Sequence, residues 1–292
     1  MLTWTLWRAL RNPPFADPLF QRVYGAKARS PRLVRALQIG TIYLFICFTA
    51  GFIWPLLAVN LAITSLVILI VLNSLVGTVL ADRISATIAR ERELQTYDLL
   101  CLLPVGELGI DWSLSTGSLY HSTLFRTTGF LARLLSVGLL GALVIAFTIP
   151  LMLLVGRWGG QDVLRLFVVL WYALLMGLGL YMNHIQIVVL AHLIGMLTPA
   201  FTTNRLNARM LAAGSLLLFC VGVYLSTAMI GFVILGSVYR WLHVPDPTGV
   251  ISLPVLRLII FYGLHEAVIY LIWRLLLRQF NSTPHDTLWS AK

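Results

Sequence analysis

The chain has 292 residues, 59% of them hydrophobic and 11% charged, with 21 Lys+Arg against 11 Asp+Glu for a net charge of +10. A soluble domain carries about 25% charged residues, so the composition excludes an ordinary soluble globule and predicts an all-α, polytopic membrane protein. The basic balance needs no nucleic-acid partner, because membrane proteins keep Arg and Lys on the cytoplasmic side to set orientation.

Residues 1–35 come first, as a cytosolic or interfacial segment. "MLTWTLWRALR" carries Trp4, Trp7 and Leu10 near helical spacing, which predicts an amphipathic helix at the membrane interface. "DPLFQRVYGAKARSPRLVR" mixes Leu19, Phe20, Val23 and Tyr24 with basic residues and predicts a second surface helix. A plain basic anchor is the alternative. No small-residue cleavage site of the usual kind precedes the first apolar block, so that block is expected to stay as a span.

Six apolar blocks follow within residues 36–277. They are Ala36–Trp54, Leu57–Ala81, Thr128–Val155, Val163–Leu197, Met210–Val238 and Val255–Leu277. Each is long enough to cross a bilayer as a helix, which takes roughly 20 residues, and the longer blocks can tilt or project beyond the bilayer. Most of the positive residues fall in segments that share one side with the N-terminus. The other side holds Arg157, Arg165, Arg240 and Arg257. That asymmetry predicts both termini in the cytoplasm. Residues 82–127 are then a cytosolic loop, 278–292 a cytosolic tail, and "YRWLHVPDPTGVISLP" a short, turn-rich outer loop.

The densest charge lies in "IARERELQTYDLLCLLP", residues 88–104. A helix continuing from the second span places Ile84, Ile88, Glu91 and Gln95 on one face. Arg90 and Glu93 are expected to pair at i,i+3. Thr96 is expected to cap a new helix over Tyr97–Leu103, with Asp98 in its first turn and Pro104 and Gly106 ending it. That helix is apolar nearly all round, so it needs a cover: the membrane face, its own chain or a partner. A solvated extension of the second span is the alternative.

Glu91-Arg92-Glu93, Thr96-Tyr97-Asp98-Leu99-Leu100 and Pro104 together resemble the cytosolic pattern of ABC-2-type transporter permeases, which lies between the second and third spans. That family often has Gly where this chain has Gln95, and it enters the third span through a shorter stretch containing Lys. The resemblance implies a coupling helix that docks on an ATP-hydrolysing subunit. Tyr97–Leu103 would then be the docking surface or its support, and Glu91, Arg92 and Glu93 would brace the loop against the N-terminal interface helix. It also implies a separate ABC ATPase carrying ATP and Mg, a second permease copy or homologue, lipid surroundings, and the plasma (inner) membrane of a prokaryote. The substrate would be exported between the two permease chains.

The rest of the sequence agrees with a non-catalytic subunit that binds no cofactor. No GxxxxGK[ST] phosphate loop occurs, and the only lysines are Lys27 and Lys292. Cys47, Cys101 and Cys220 have no metal-ligand spacing. The polar residues at expected membrane depth are Asn183, His184, Gln186, His192, His265 and Glu266. An intramembrane Glu is a functional-site hypothesis by default, and helix–helix hydrogen bonding is the structural alternative. His184 and Glu266 fall at similar depth and are a possible pair. His184 and His192 are about 12 Å apart along a helix, too far to share one metal. A membrane enzyme built on these groups, or a scaffold that recruits a partner through its cytosolic helix, are the other functional classes.

Overall fold

A computed structural model describes residues 1–13, 15, 17–25, 32–53, 59–102, 106–155, 160–202, 204–242 and 246–281. Among these residues the chain is all helical. The helices are α1 (Leu2–Arg11), α2 (Pro18–Tyr24), α3 (Arg32–Ile53), α4 (Val59–Glu93), α5 (Thr96–Leu100), α6 (Gly106–His121), α7 (Thr123–Val155), α8 (Gly160–Leu197), α9 (Arg205–Ala228), α10 (Leu235–Trp241) and α11 (Asp246–Gln279). A 3₁₀ turn, Thr198–Ala200, ends α8, and a π-helical stretch, Met229–Ile234, joins α9 to α10.

Four described segments are long and apolar enough to cross a bilayer: Val67–Glu93, Leu170–Ala200, Arg205–Trp241 and Ile251–Gln279. Val34–Cys47 in α3 is a shorter apolar helix. The chain therefore has the build of a multi-pass helical membrane protein. The 35 residues of α4 make a rod about 52 Å long. A hydrocarbon core is about 30 Å thick, so one rod both crosses the membrane and stands out from it. The charged end of α4 is the part with reason to project, because charge at the bilayer centre is costly.

The central packing is α4 against α8, with α9 and α11 alongside. Gly195 on α8 makes the close approach: a Cβ there would sit 2.8 Å from the Ile84 side chain and 3.1 Å from the Ala81 carbonyl. Small residues at such crossings let helix backbones pack where lipid supplies no hydrophobic drive. Ile84 and Ile88 of α4, Ile187 and Ala191 of α8, Leu216 of α9 and Ile272 of α11 fill the shared core. Arg209 of α9 donates from Nε and Nη2 to Asp82 of α4 at 2.8 and 3.0 Å, a two-pronged bridge at the charged end.

Residues 82–127, expected between the second and third spans, carry helices. These are the end of α4, then α5, α6 and the start of α7. The 16-residue α6 lies with Leu108, Ile110, Leu114 and Leu119 buried. Its small residues admit neighbours closely. At Gly117 a Cβ would meet the Phe20 carbonyl and Val23 of α2 at 3.0 Å. The turn-rich outer loop is also largely helix: α11 begins at Asp246 and runs through Pro254. Pro247 sits in its first turn, where a missing N–H is no loss.

The N-terminal segment is helical, as its spacing predicts, but the face differs. Thr3, Leu6, Trp7 and Leu10 are buried, and Trp4 points outward. That i, i+3, i+4, i+7 stripe packs on α8 and α11, so the helix is covered in part by its own chain.

Candidate functional site

The charged end of α4 is a junction. Its three consecutive residues reach three different elements. Glu91 is buried, and its Oε2 lies 3.2 Å from Arg22 Nη2 of α2. The same oxygen accepts from the Thr96 hydroxyl at 2.7 Å. Arg92 donates from Nη1 to the Pro199 carbonyl at 2.8 Å, which ties α4 to the turn after α8. Glu93 Oε1 accepts from the Arg205 backbone N–H at 2.7 Å, at the first turn of α9. A carboxylate there satisfies an orphan donor and complements the helix dipole. Consecutive helix positions point 100° apart, which is how one short run serves three neighbours. Among the described residues, the expected brace to the N-terminal segment is made by Glu91. Glu93 turns to α9 rather than pairing with Arg90.

Helix α4 ends at Glu93, and the chain turns at Gln95, which has φ +55°. This is the left-handed region at a helix C-terminus that favours glycine. Thr96 is not the cap expected from the sequence. It is the first residue of α5, preceded by Gln95, and its hydroxyl turns back to Glu91, whose backbone carbonyl is 3.1 Å away. The expected helix Tyr97–Leu103 is shorter, ending at Leu100 with Cys101 and Leu102 in a turn. Asp98 lies in its first turn, as expected. Pro104 lies outside the described residues, and Gly106, at φ +74°, opens α6.

Helix α5 has two faces rather than a uniformly apolar surface. Tyr97 is buried and Leu100 packs against the core. Leu99 and Leu102 are 67% and 82% exposed. Leu94, in the turn before α5, is exposed as well. Among the described residues, the chain therefore covers half of this helix and leaves a leucine ridge open.

Under the covered half lies Asp111 of α6, a fully buried carboxylate that sequence reasoning passed over. Its Oδ2 is 3.5 Å from Arg92 Nη2. Neither oxygen has a hydrogen-bond partner among the described residues. Burial lifts the Asp111 carboxyl to about 7, against the pull of the Arg92 guanidinium. The guanidinium also stacks on the Tyr97 ring, 4.6 Å from its centre, and burial pushes the Tyr97 phenol up. Asp111 carried no visible signal beyond being an acid among apolar neighbours. Its partner lies on another helix.

The polar groups of the long helices go to separate partners. His184 Nδ1 is 3.3 Å from Asn73 Oδ1 of α4, at the edge of a small cavity walled by Leu69, Leu131 and Leu180. His192 Nε2 is 3.4 Å from Ser115 Oγ of α6, and its ring meets Trp112 edge-on at 4.6 Å. His265 Nδ1 is 3.0 Å from the carbonyl of Phe261, one turn back. The Tyr224 hydroxyl donates to Asn183 Oδ1 at 3.1 Å and contacts Ser74 Oγ at 2.9 Å. Glu266 does not pair with His184. It accepts from the Thr3 backbone N–H at 3.2 Å and from the Thr3 hydroxyl. Among the described residues no three His, Cys, Asp or Glu side chains gather as a metal site.

Comparison with family models, with curated proteins and with solved structures gives no match to this chain.

Proposed function

We propose that the chain is the membrane-spanning permease subunit of an ABC-type transporter, of the ABC-2 kind, and that α5 is its contact with a separate ATPase. The observation that carries this reading is the α4–α5 junction. Glu91, Arg92 and Glu93 fasten the end of a spanning helix to α2, to the turn after α8 and to α9. Beyond the junction a short helix and the turn after it hold Leu99 and Leu102 open. A load applied to that ridge reaches three elements at once, because each linkage is short, between 2.7 and 3.2 Å. The polar groups of the long helices favour this over a membrane enzyme, since His184, His192, His265 and Glu266 each answer to a different neighbour.

In this reading α3, α4, α7, α8, α9–α10 and α11 are six spans with both termini in the cytoplasm of a prokaryote. The ATP and Mg sit on the partner. A second permease chain completes the path for an exported substrate.

Co-expression with phosphate-loop ATPases of the same genome tests the proposal. One of them is expected to co-purify and to turn over ATP faster in the complex. Leu99→Asp with Leu102→Asp is expected to abolish both effects while the protein stays folded. If no ATPase binds, or if binding survives that double change, the reading fails.

A further inference from the structure

Arg257 lies within the Ile251–Gln279 span, and sequence reasoning assigned it only to the outer side. Its Nε donates to the Gly231 carbonyl at 2.9 Å. Its guanidinium carbon sits 4.1 Å over the Phe232 ring. Gly231 belongs to the π-helical stretch between α9 and α10, where the change of hydrogen-bond register disturbs the regular backbone pairing. Its lack of a side chain makes the room: a Cβ there would lie 3.3 Å from Arg257 Cγ.

Two contacts therefore fix the guanidinium in a set orientation, unlike a freely waving surface arginine. They use one of its five N–H groups and one face. The four remaining N–H groups on Nη1 and Nη2 have no carboxylate in ion-pair range among the described residues. The surroundings are apolar and outward-facing: Phe232, Val233, Ile234 and Ile259 are all exposed. A cation in such a setting needs a counter-ion.

The depth suits a headgroup. Helix α9 starts at the charged junction, where Arg205 meets Glu93, so Gly231 and Arg257 lie toward the opposite membrane face. Arg257 is six residues into the Ile251–Gln279 span, about 9 Å down the helix. Helical side chains lean toward the N-terminus, which here carries the guanidinium back toward the surface.

We propose that Arg257, held by the Gly231 carbonyl and Phe232, binds the phosphate of an anionic headgroup in the leaflet opposite the α4–α5 junction. The two Nη groups match phosphate oxygens in the two-pronged manner that guanidinium favours.

Native mass spectrometry of the full chain tests this, with phosphatidylglycerol and phosphatidylcholine added in equal amounts. The wild type is expected to retain phosphatidylglycerol preferentially, and Arg257→Gln to lower that preference by about tenfold at one bound lipid. Arg257→Lys keeps the charge without the planar fork and is expected to fall between the two, which preserves the test if the Gln variant aggregates. Arg240→Gln, on the neighbouring α10, is expected to leave the preference unchanged. Millimolar inorganic phosphate separates the sources: a lipid site resists it, and a site for a free anion releases the lipid. Wild-type retention of phosphatidylglycerol by both Arg257 variants overturns the proposal.

Discussion

Glu266 of α11 accepts hydrogen bonds from both the backbone N–H and the hydroxyl of Thr3, 263 residues earlier. A carboxylate at the first turn of α1 satisfies an orphan donor and faces the positive end of the helix. An acid that looks functional in the sequence is therefore a docking point for the N-terminal helix. Glu266→Gln keeps an acceptor and loses the charge, so thermal unfolding in detergent is expected to show a loss of about 1 kcal/mol. Thr3→Ala is expected to cost a similar amount, and the double variant less than the sum. Full additivity in that cycle would contradict the linkage.

Asp111 makes stability depend on pH. Its folded carboxyl titrates at about 7, above the ordinary value of 3.8, because burial disfavours the charge. The folded state then holds a proton that the unfolded state has released. Stability is expected to fall as pH rises from about 4 to about 7, and to level off above that. Asp111→Asn is expected to flatten the slope. Arg92→Gln, which removes the cation that favours the charged form, is expected to move the falling limb to higher pH. Denaturation followed across that range checks both.

Gln95 pays for a left-handed backbone at the end of α4. Gln95→Gly is expected to stabilise the protein by about 1 kcal/mol, since only glycine adopts that region freely. Chemical denaturation measures it. A loss of stability would show that the Gln95 side chain outweighs its backbone strain.

Two glycines separate close packing from open space. Gly195→Ala places a Cβ 2.8 Å from Ile84 and is expected to cost about 1–3 kcal/mol through overpacking. Gly214→Ala on α9 meets nothing within 4 Å and is expected to be neutral or to stabilise by up to about 1 kcal/mol. The two melting temperatures, measured side by side, test the α4–α8 crossing directly.

Much of the architecture was legible in the residues. Long apolar blocks admit only helices in a bilayer, because every backbone polar group must be satisfied within its own segment. The helical character of α1 and α2 and the break near Gln95 were also readable, since both are written in local spacing and charge. Helix α6 was not. Its Ser113, Ser115, Thr116, Gly117 and Ser118 read as a polar stretch, yet all are buried, because small side chains serve close packing that only neighbouring helices define.

The sequence by itself determined the class of molecule and the place of its charged junction, since length, hydropathy and charge act residue by residue along the chain. Only the tertiary structure decided the partners. It sent Glu91 to Arg22, Arg92 to Pro199 and Asp111, Glu93 to Arg205, and Glu266 to Thr3. Each of these links joins residues on different elements, and no local periodicity encodes which polar group another helix will bring. The same packing divided α5 into a covered Tyr97 and an open Leu99, because burial depends on what the rest of the chain places alongside.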